Sequence, residues 1–308
     1  MMLNNIASNA PLPSPSRAFV TDDSIAVLRF AVEALTAGKE AVLVTLTGIE
    51  GGAARALGSQ MCVRDDGHYC GFVSGGCVES AVAFEALDLL VKGQDRQIRY
   101  GKGSPWFDIV LPCGGGITLT LHRLRSARPL LAVLNSLERR TPAGLHYCPA
   151  TQQLDAIEGA VTTGWRSGGF ERGYRPRVQL VLQGQSVEAQ ATAALAQAAG
   201  YEVTGFTDAS DPLIDADTAV VLLWHDLHRE LPVLQAALRA RPFYIGALGS
   251  QRTHSQRSET LLALGWHQED IARIKAPIGL FPRARDASTL ALSVLADIAA
   301  TRQAGAAS

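Results

Sequence analysis

"RVQLVLQGQSVEAQATAALAQAAGYEVTGF", residues 177–206, reads as strand, turn, helix, turn and strand. The apolar run "RVQLVL" has strand length and ends at "QGQS"; a small-residue helical stretch follows and Gly200 closes it. The same unit recurs downstream as "TAVVLLW", "LPVLQAALRA" and "PFYIGAL", then a helix from about 250 to 264 and a last helix, "DASTLALSVLADIAATR". Strands that alternate with helices at this spacing imply a parallel sheet with helices on its faces, so residues 178–308 are expected to form a Rossmann-like domain.

Parallel sheets bind ligands at the carboxyl ends of their strands. Here those ends carry "QGQS" at 183–186, Asp208, "WHD" at 224–226, "GSQR" at 249–252 and "PIGL" at 277–280. Asp208 stands where dinucleotide enzymes often hold a ribose. Yet Gln183 and Gln185 occupy places where glycines would let a pyrophosphate reach the backbone, so ordinary tight NAD binding is not expected. His225 and Asp226 form either a polar contact for a ligand or a tie from loop to helix. Gly249 and Ser250, followed by Arg252 and Arg257, form an anion nest, or Ser250 is a helix cap.

Upstream, the pattern is mixed α/β over residues 21–163. "TDDSIAVLRFAVEALTAGK" is a helix capped by Thr21, Asp22 or Asp23, and "AVLVTLTGI" is a buried strand. Asp66-Gly67 marks a hairpin within "QMCVRDDGHYCGFVS". "CVESAVAFEALDLLVKG" is the next helix; "FDIVLP" and "ITLTLHRL" are strands joined by "CGGG", and "PLLAVLNSLERR" is a further helix. A hairpin is expected over 143–158, and "GWRSGGFERGYRPR", residues 164–177, reads as a linker.

A chain of 308 residues is long for one core and natural for two domains. Its balance of 47% hydrophobic and 19% charged residues is that of a soluble globular protein. A formal charge of −1 gives no reason to expect nucleic acid or an anionic membrane as partner. The first eighteen residues lack both the basic start and the apolar run of a signal peptide, and their Pro, Ser and Asn content predicts a disordered tail over 1–20. Five scattered cysteines point to reduced thiols in the cytoplasm, and none forms a C-x-x-C pair.

Two glycine–cysteine turns carry the chemistry of the first domain: "GFVSGGCVES" at 71–80 and "LPCGGGITLT" at 111–120. A helix N-terminus favours a thiolate and attracts anions, and Gly75 and Gly76 clear access to Cys77. Glu79, in the same first turn, caps that end or bonds a ligand's polar edge. Cys113 with Gly114 and Gly115 repeats the combination of thiol and exposed amides. Buried thiols beside tight turns are the plain structural alternative. Arg55, on the loop "EGGAARALGS", is a phosphate grip or a solvated charge.

Taken together, Arg55, Gly58, Met61, "GFVSGGCVES", "CGGG", "WHD", "YIGALGSQR", Arg257, "PIGL" and "LALSVLADI" resemble the XdhC/CoxI family, the maturation chaperones of xanthine dehydrogenase-type molybdenum enzymes. The resemblance runs from about residue 22 to 300. It implies binding of molybdenum cofactor, as molybdopterin or its dinucleotide, support of its sulfuration, and its insertion into an apo-enzyme. The implied role is accessory, not catalytic. The implied partners are a cysteine desulfurase, a cofactor nucleotidyltransferase, a second copy of the chain and the large subunit of the apo-molybdoenzyme. On that reading Cys77 and Cys113 lie near molybdenum, while Arg55 or the second domain's strand ends hold the tail. This chain departs from the family pattern at "QGQS" and at "GGAARALG". The competing expectations are an NAD(P)-dependent oxidoreductase and a cofactor-free recruitment module.

Overall fold

The computed structural model describes residues 11–104, 111, 114–205, 213–224, 226–281 and 284–306. The chain forms two compact units, one running to Arg175 and the other beginning at Pro176.

The first unit opens with a two-residue strand, β1 (Ser16–Arg17), and helix α1 (Ser24–Thr36), whose N-cap Asp23 accepts the Ile25 amide. Strands β2 (Ala41–Glu50), β3 (Gln60–Arg64) and β4 (His68–Gly71) follow, then helix α2 (Glu79–Lys92). After these come β5 (Arg96–Gly101), β6 (Gly116–Arg123) and helix α3 (Arg128–Glu138). Sheet order is β1-β4-β3-β2-β6-β5. A second sheet is built from β7 (Ala143–Cys148), β8 (Gln153–Glu158), β9 (Gly164–Arg166) and β10 (Gly169–Tyr174), in the order β8-β7-β10-β9. The large sheet's two faces have different cover. Leu87, Leu89 and Val82 of α2 pack on one face with Val42 and Leu119, while Leu28 of α1 and Leu130 of α3 pack on the other with Leu43 and Cys62. Each such fully buried aliphatic side chain contributes roughly 1.5–3 kcal/mol.

Two expectations require correction. The tail over 1–20 is not wholly without structure, because Ser16 and Arg17 pair in parallel with His68 and Tyr69. Residues 164–177 are mostly strands and not a linker: their Gly and Arg content serves a tight hairpin in which Phe170 pairs across from Trp165 and Tyr147. The structure also adds a strand that the sequence reading did not include: β5, "RQIRYG", pairs with β6, and its charged alternation hides an edge strand with Tyr100 turned inward. The expected strand "FDIVLP" lies mostly outside the described residues.

The second unit is the expected α/β alternation. Strand β11 (Gln179–Gln183) leads to α4 (Val187–Ala198) and β12 (Glu202–Gly205). Then come β13 (Thr218–Leu222), α5 (Leu227–Ala240), β14 (Tyr244–Ala247), α6 (Gln251–Ala263), the short α7 (Gln268–Ile271), β15 (Ile274–Lys275) and α8 (Ala287–Ala306). All five strands are parallel in the order β12-β11-β13-β14-β15. Helices α4 and α8 cover one face through Ala189, Ala196 and Val294; α5 and α6 cover the other through Leu234, Leu238 and Leu261. The chain steps from β11 to β12 on one side and then to β13 on the other. That reversal makes a switch point between β11 and β13, where such sheets leave a crevice.

Candidate functional site

Three segments distant in sequence meet at one end of the first unit's large sheet. The loop that follows β2, residues 51–55, lies between the two glycine–cysteine turns. On one side it touches the turn before α2: Arg55 Nε donates to the Ser74 carbonyl at 3.3 Å, and a Cβ on Gly75 would sit 3.5 Å from Ala54 Cβ. On the other side Gly115 packs so closely that a Cβ there would run into the Gly52 carbonyl oxygen. The structure therefore gathers Arg55, Gly75, Gly76, Cys77, Gly114 and Gly115 around one loop. Cys113 lies outside the described residues.

The turn before α2 is shaped by Glu79. This carboxylate is fully buried; it accepts the Val73 amide at 3.1 Å and the Ser74 amide at 2.7 Å. The Ser74 hydroxyl lies 2.8 and 2.9 Å from its two oxygens, and the Val78 amide donates to it at 3.3 Å. Its oxygens are thus engaged within the chain, which corrects the expectation that Glu79 contacts a ligand. It positions the turn instead. Ser74 Oγ in turn accepts the Gly76 amide at 3.2 Å. With the loop latched on its inner side, Gly76 takes a left-handed φ of +104° with nothing within 4 Å of a Cβ, and Gly114 does the same at +65°. Those two glycines border open space, and the free Cys77 thiol is exposed beside them. Val78 caps α2 without a side-chain hydrogen bond.

The electrostatics are set by cations that no motif in the sequence marks out. Arg99 donates to the Lys102 carbonyl at 2.8 Å and also to Glu50; Lys102 Nζ lies 3.1 Å from Glu50. Lys102 and Arg99 together hold the Glu50 carboxyl below the usual carboxylate range. Lys102 is 67% exposed, and a Cβ on Gly116 would meet its carbonyl, which places it against the second turn. Arg55 is paired with Asp22 at 3.0 Å and stacks 5.1 Å from the Phe72 ring centre. Among the described residues no three His, Cys, Asp or Glu side chains gather as a metal cage. Among the described residues the site offers one accessible sulfur, bare backbone and surface cations. That donor set fits a ligand whose own ligands already hold its metal and whose tail is anionic.

The second unit's expected residues separate into two roles. Arg257 and Glu230 are an internal pair, each 1% exposed and 2.8 Å apart, with Arg257 Nη2 donating to the Leu248 carbonyl at 3.0 Å. Asp226 caps α5 by accepting the His228 amide at 2.9 Å, and Ser250 caps α6 by accepting the Thr253 amide at 3.3 Å. Gly249 takes a φ of +128° just before that cap, with Thr253 packed against it. Asp208 and His225 lie outside the described residues. The expected anion nest is thereby corrected: Ser250 is a helix cap and Arg257 a buried structural cation. Nothing in the sequence distinguishes a buried arginine from an exposed one at this position, because its carboxylate partner lies 27 residues away.

The chain is thus a two-part α/β protein with a parallel-sheet second unit and an exposed glycine–thiol turn on the first. Residues 34–101 match the XdhC and CoxI family, and residues 180–298 match the XdhC Rossmann domain. The chain is 63% identical to the molybdenum cofactor insertion chaperone PaoD of Escherichia coli strain K12, over 94% of this chain and 92% of that one. It is 25% identical to a protein of Bacillus subtilis strain 168 described as a probable xanthine dehydrogenase subunit, covering 86% of this chain and 94% of that protein. Its fold is similar to a crystal structure described as a xanthine dehydrogenase from Bacillus halodurans, with a TM-score of 0.70 at 18% identity, covering 90% of this chain and 96% of the other. The chain belongs to the XdhC and CoxI family.

Proposed function

We propose that this chain binds molybdenum cofactor and inserts it into an apo-enzyme of the xanthine dehydrogenase type. The observation that carries this reading is the meeting of the Gly75–Cys77 turn and the Gly114–Gly115 turn on the Gly52–Arg55 loop. The close relationship to a named insertion chaperone supports it. The cofactor supplies a molybdenum centre already chelated by a dithiolene on a pterin. The chain's own residues have three tasks. Gly76 and Gly114 leave backbone open to a flat, polar ligand, and the Cys77 thiol presents a soft donor beside it. Arg55 and Lys102 offer positive charge to a phosphate or diphosphate tail. Glu79 and Ser74 keep the turn in place while the site is exposed. Cys113, the sequence neighbour of Gly114, is the second thiol assigned to this site.

Such a carrier works in the cytoplasm beside a cysteine desulfurase that supports cofactor sulfuration and a nucleotidyltransferase that completes the tail, and it pairs as a homodimer. Among the described residues no helix is long and apolar enough to cross a membrane. The test is purification without oxygen from a host that makes the cofactor, followed by quantification of molybdenum and of oxidised pterin. Near-stoichiometric metal and pterin, lost in a Cys77→Ser, Cys113→Ser double variant, is the expected result. Full retention by the double variant would place the site elsewhere. Neither species above background would favour a recruitment module without cofactor.

A further inference from the structure

Phe72, between the end of β4 and the Ser74 turn, gathers two cations from distant parts of the first unit. Its ring centre lies 4.8 Å from the Arg17 guanidinium carbon and 5.1 Å from that of Arg55. The ring attracts both, and sharing it keeps the two carbons within about 10 Å of each other. Strand β1 brings Arg17 to this place. The Ser16 amide donates to the Gly67 carbonyl at 3.0 Å and the Ala18 amide to the Tyr69 carbonyl at 2.8 Å, which fixes the strand on the β4 edge. Gly67 admits the chain just ahead of it, since a Cβ there would stand 2.8 Å from the Ser14 carbonyl oxygen. Arg17 therefore lies over the Tyr69 and Phe72 rings although its strand is exposed.

Two neighbouring guanidiniums repel one another unless an anion joins them. The chain supplies one carboxylate. Asp22 Oδ2 lies 3.0 Å from Arg55 Nη1, and its side chain is 71% exposed against 30% for Arg55. Asp23, next in sequence, is committed to the α1 cap. Among the described residues Arg17 has no carboxylate partner. A single carboxylate thus faces two cations beside the turn that presents Cys77, because Arg55 Nε also donates to the Ser74 carbonyl at 3.3 Å. An exposed ion pair is worth little in water, so Asp22 is readily exchanged for a stronger anion. A phosphoryl group is such an anion: it carries more charge and more acceptor oxygens, and guanidiniums bind it in a fork.

We propose that Arg17 and Arg55, both held on Phe72, form a two-guanidinium clamp for a phosphate-bearing tail, and that Asp22 is the internal carboxylate which the tail displaces. The inference rests on the reading of the first unit as a cofactor site and adds the residue that the N-terminal strand contributes to it. On this account β1 does more than cover the β4 edge: it carries a binding group to the site.

Calorimetric titration of the full chain with inorganic pyrophosphate tests the clamp. Saturable binding is expected, weakened at least about fivefold by Arg17→Ala and by Arg55→Ala. Arg17→Lys keeps the charge without the fork and should recover part of that loss. Asp22→Asn should tighten binding about two- to fivefold, the worth of an exposed ion pair. That gain cannot come from a loosened fold, so it separates a clamp from a purely structural role for β1. No binding of pyrophosphate, binding indifferent to Arg17→Ala, or no gain from Asp22→Asn would overturn the proposal. Molybdenum and pterin content tests the underlying reading separately. Cofactor carried by a chain whose pyrophosphate binding ignores Arg17 would sink the clamp alone. Pyrophosphate bound through Arg17 by a chain that carries neither species would leave an anion site and sink the cofactor reading.

Discussion

The Glu79 carboxylate accepts the Ser74 amide at 2.7 Å, so the first residue of α2 holds in place the chain that runs just ahead of it. The bond closes the turn from its buried side and leaves Gly75, Gly76 and Cys77 on the outer side. Glu79→Ala would strand the Val73, Ser74 and Val78 amides in a dry interior. We expect a loss of at least about 3 kcal/mol in urea unfolding, since each of these three buried donors left unpaired costs roughly 1–3 kcal/mol. Glu79→Gln keeps the shape and should lose less. If the residue served only as a ligand contact, neither substitution would move the unfolding midpoint.

The close approach of the two turns predicts a sharp contrast between glycines. At Gly115 an added methyl collides with the Gly52 carbonyl, whereas at Gly114 it meets nothing within 4 Å and only the left-handed backbone resists. Gly114→Ala should cost about 1–2 kcal/mol. Gly115→Ala should cost more and should reduce cofactor content even where the protein folds, because it pushes the turn off the loop. Chemical denaturation of both variants beside molybdenum analysis checks the ordering.

Thiol reactivity should divide the cysteines. Burial pushes the Cys62 thiol far up and the Cys70 thiol to about 12, and both are fully enclosed. Cys77 is exposed; Cys148 is part-exposed, and the Thr151 hydroxyl and amide hold its thiol below the usual value. In a Cys113→Ser background at neutral pH, a thiol-exchange reagent should titrate two groups quickly and two more only after unfolding. Rapid reaction of all four would contradict the packing of β3 against β4.

Asp95 ties the first unit's two sheets together. Its carboxylate accepts His122 Nδ1 at 2.6 Å, the Arg123 amide at 2.9 Å and the Tyr147 hydroxyl at 2.9 Å. Burial works to raise its pKa, but the bonds from His122, Arg123 and Tyr147 prevail, and it lies below the ordinary value. A carboxyl lowered in the folded state stabilises fully above its unfolded pKa of about 4, and that contribution fades as pH falls through the folded value. The stability gap between the parent and Asp95→Asn should therefore be widest near neutral pH and narrow toward about pH 3. Urea midpoints at the two ends of that range measure it; a gap independent of pH would refute the linkage.

In the second unit, Arg257→Met would leave the Glu230 carboxylate without its guanidinium in a site where each partner is 1% exposed. Breaking a buried pair from one side typically costs about 3–5 kcal/mol. A cost under about 1 kcal/mol would show that the arginine is not held as described.

The second unit is legible from residues 177–206 onward because a two-sided parallel sheet needs nearly continuous apolar strands, and helices must alternate with them to cover both faces. The first unit is legible where periodicity is clean, in α1, β2, the Asp66-Gly67 hairpin and α2. Legibility fails at β5, where "RQIRYG" puts charge on a half-covered edge strand, and at β9 and β10, where glycine and arginine serve a hairpin.

The candidate site follows the same division. Composition and spacing alone mark two turns where glycine and cysteine stand before exposed amides, because those residue types are chemically distinctive wherever they occur. Whether the turns share a site depends on Gly52, Ser74 and Gly115, which only the pairing of β2 with β6 and the placement of α2 bring together. The roles of Glu79, Ser250 and Arg257 are likewise open in the sequence. A side chain's part as ligand contact, cap or buried tie is fixed by its surroundings, and those are made by residues far along the chain. Local pattern is enough to specify most of the elements and the chemistry they carry, because both depend on near neighbours. Which of those groups face open space depends on long-range packing, and only the folded chain specifies that.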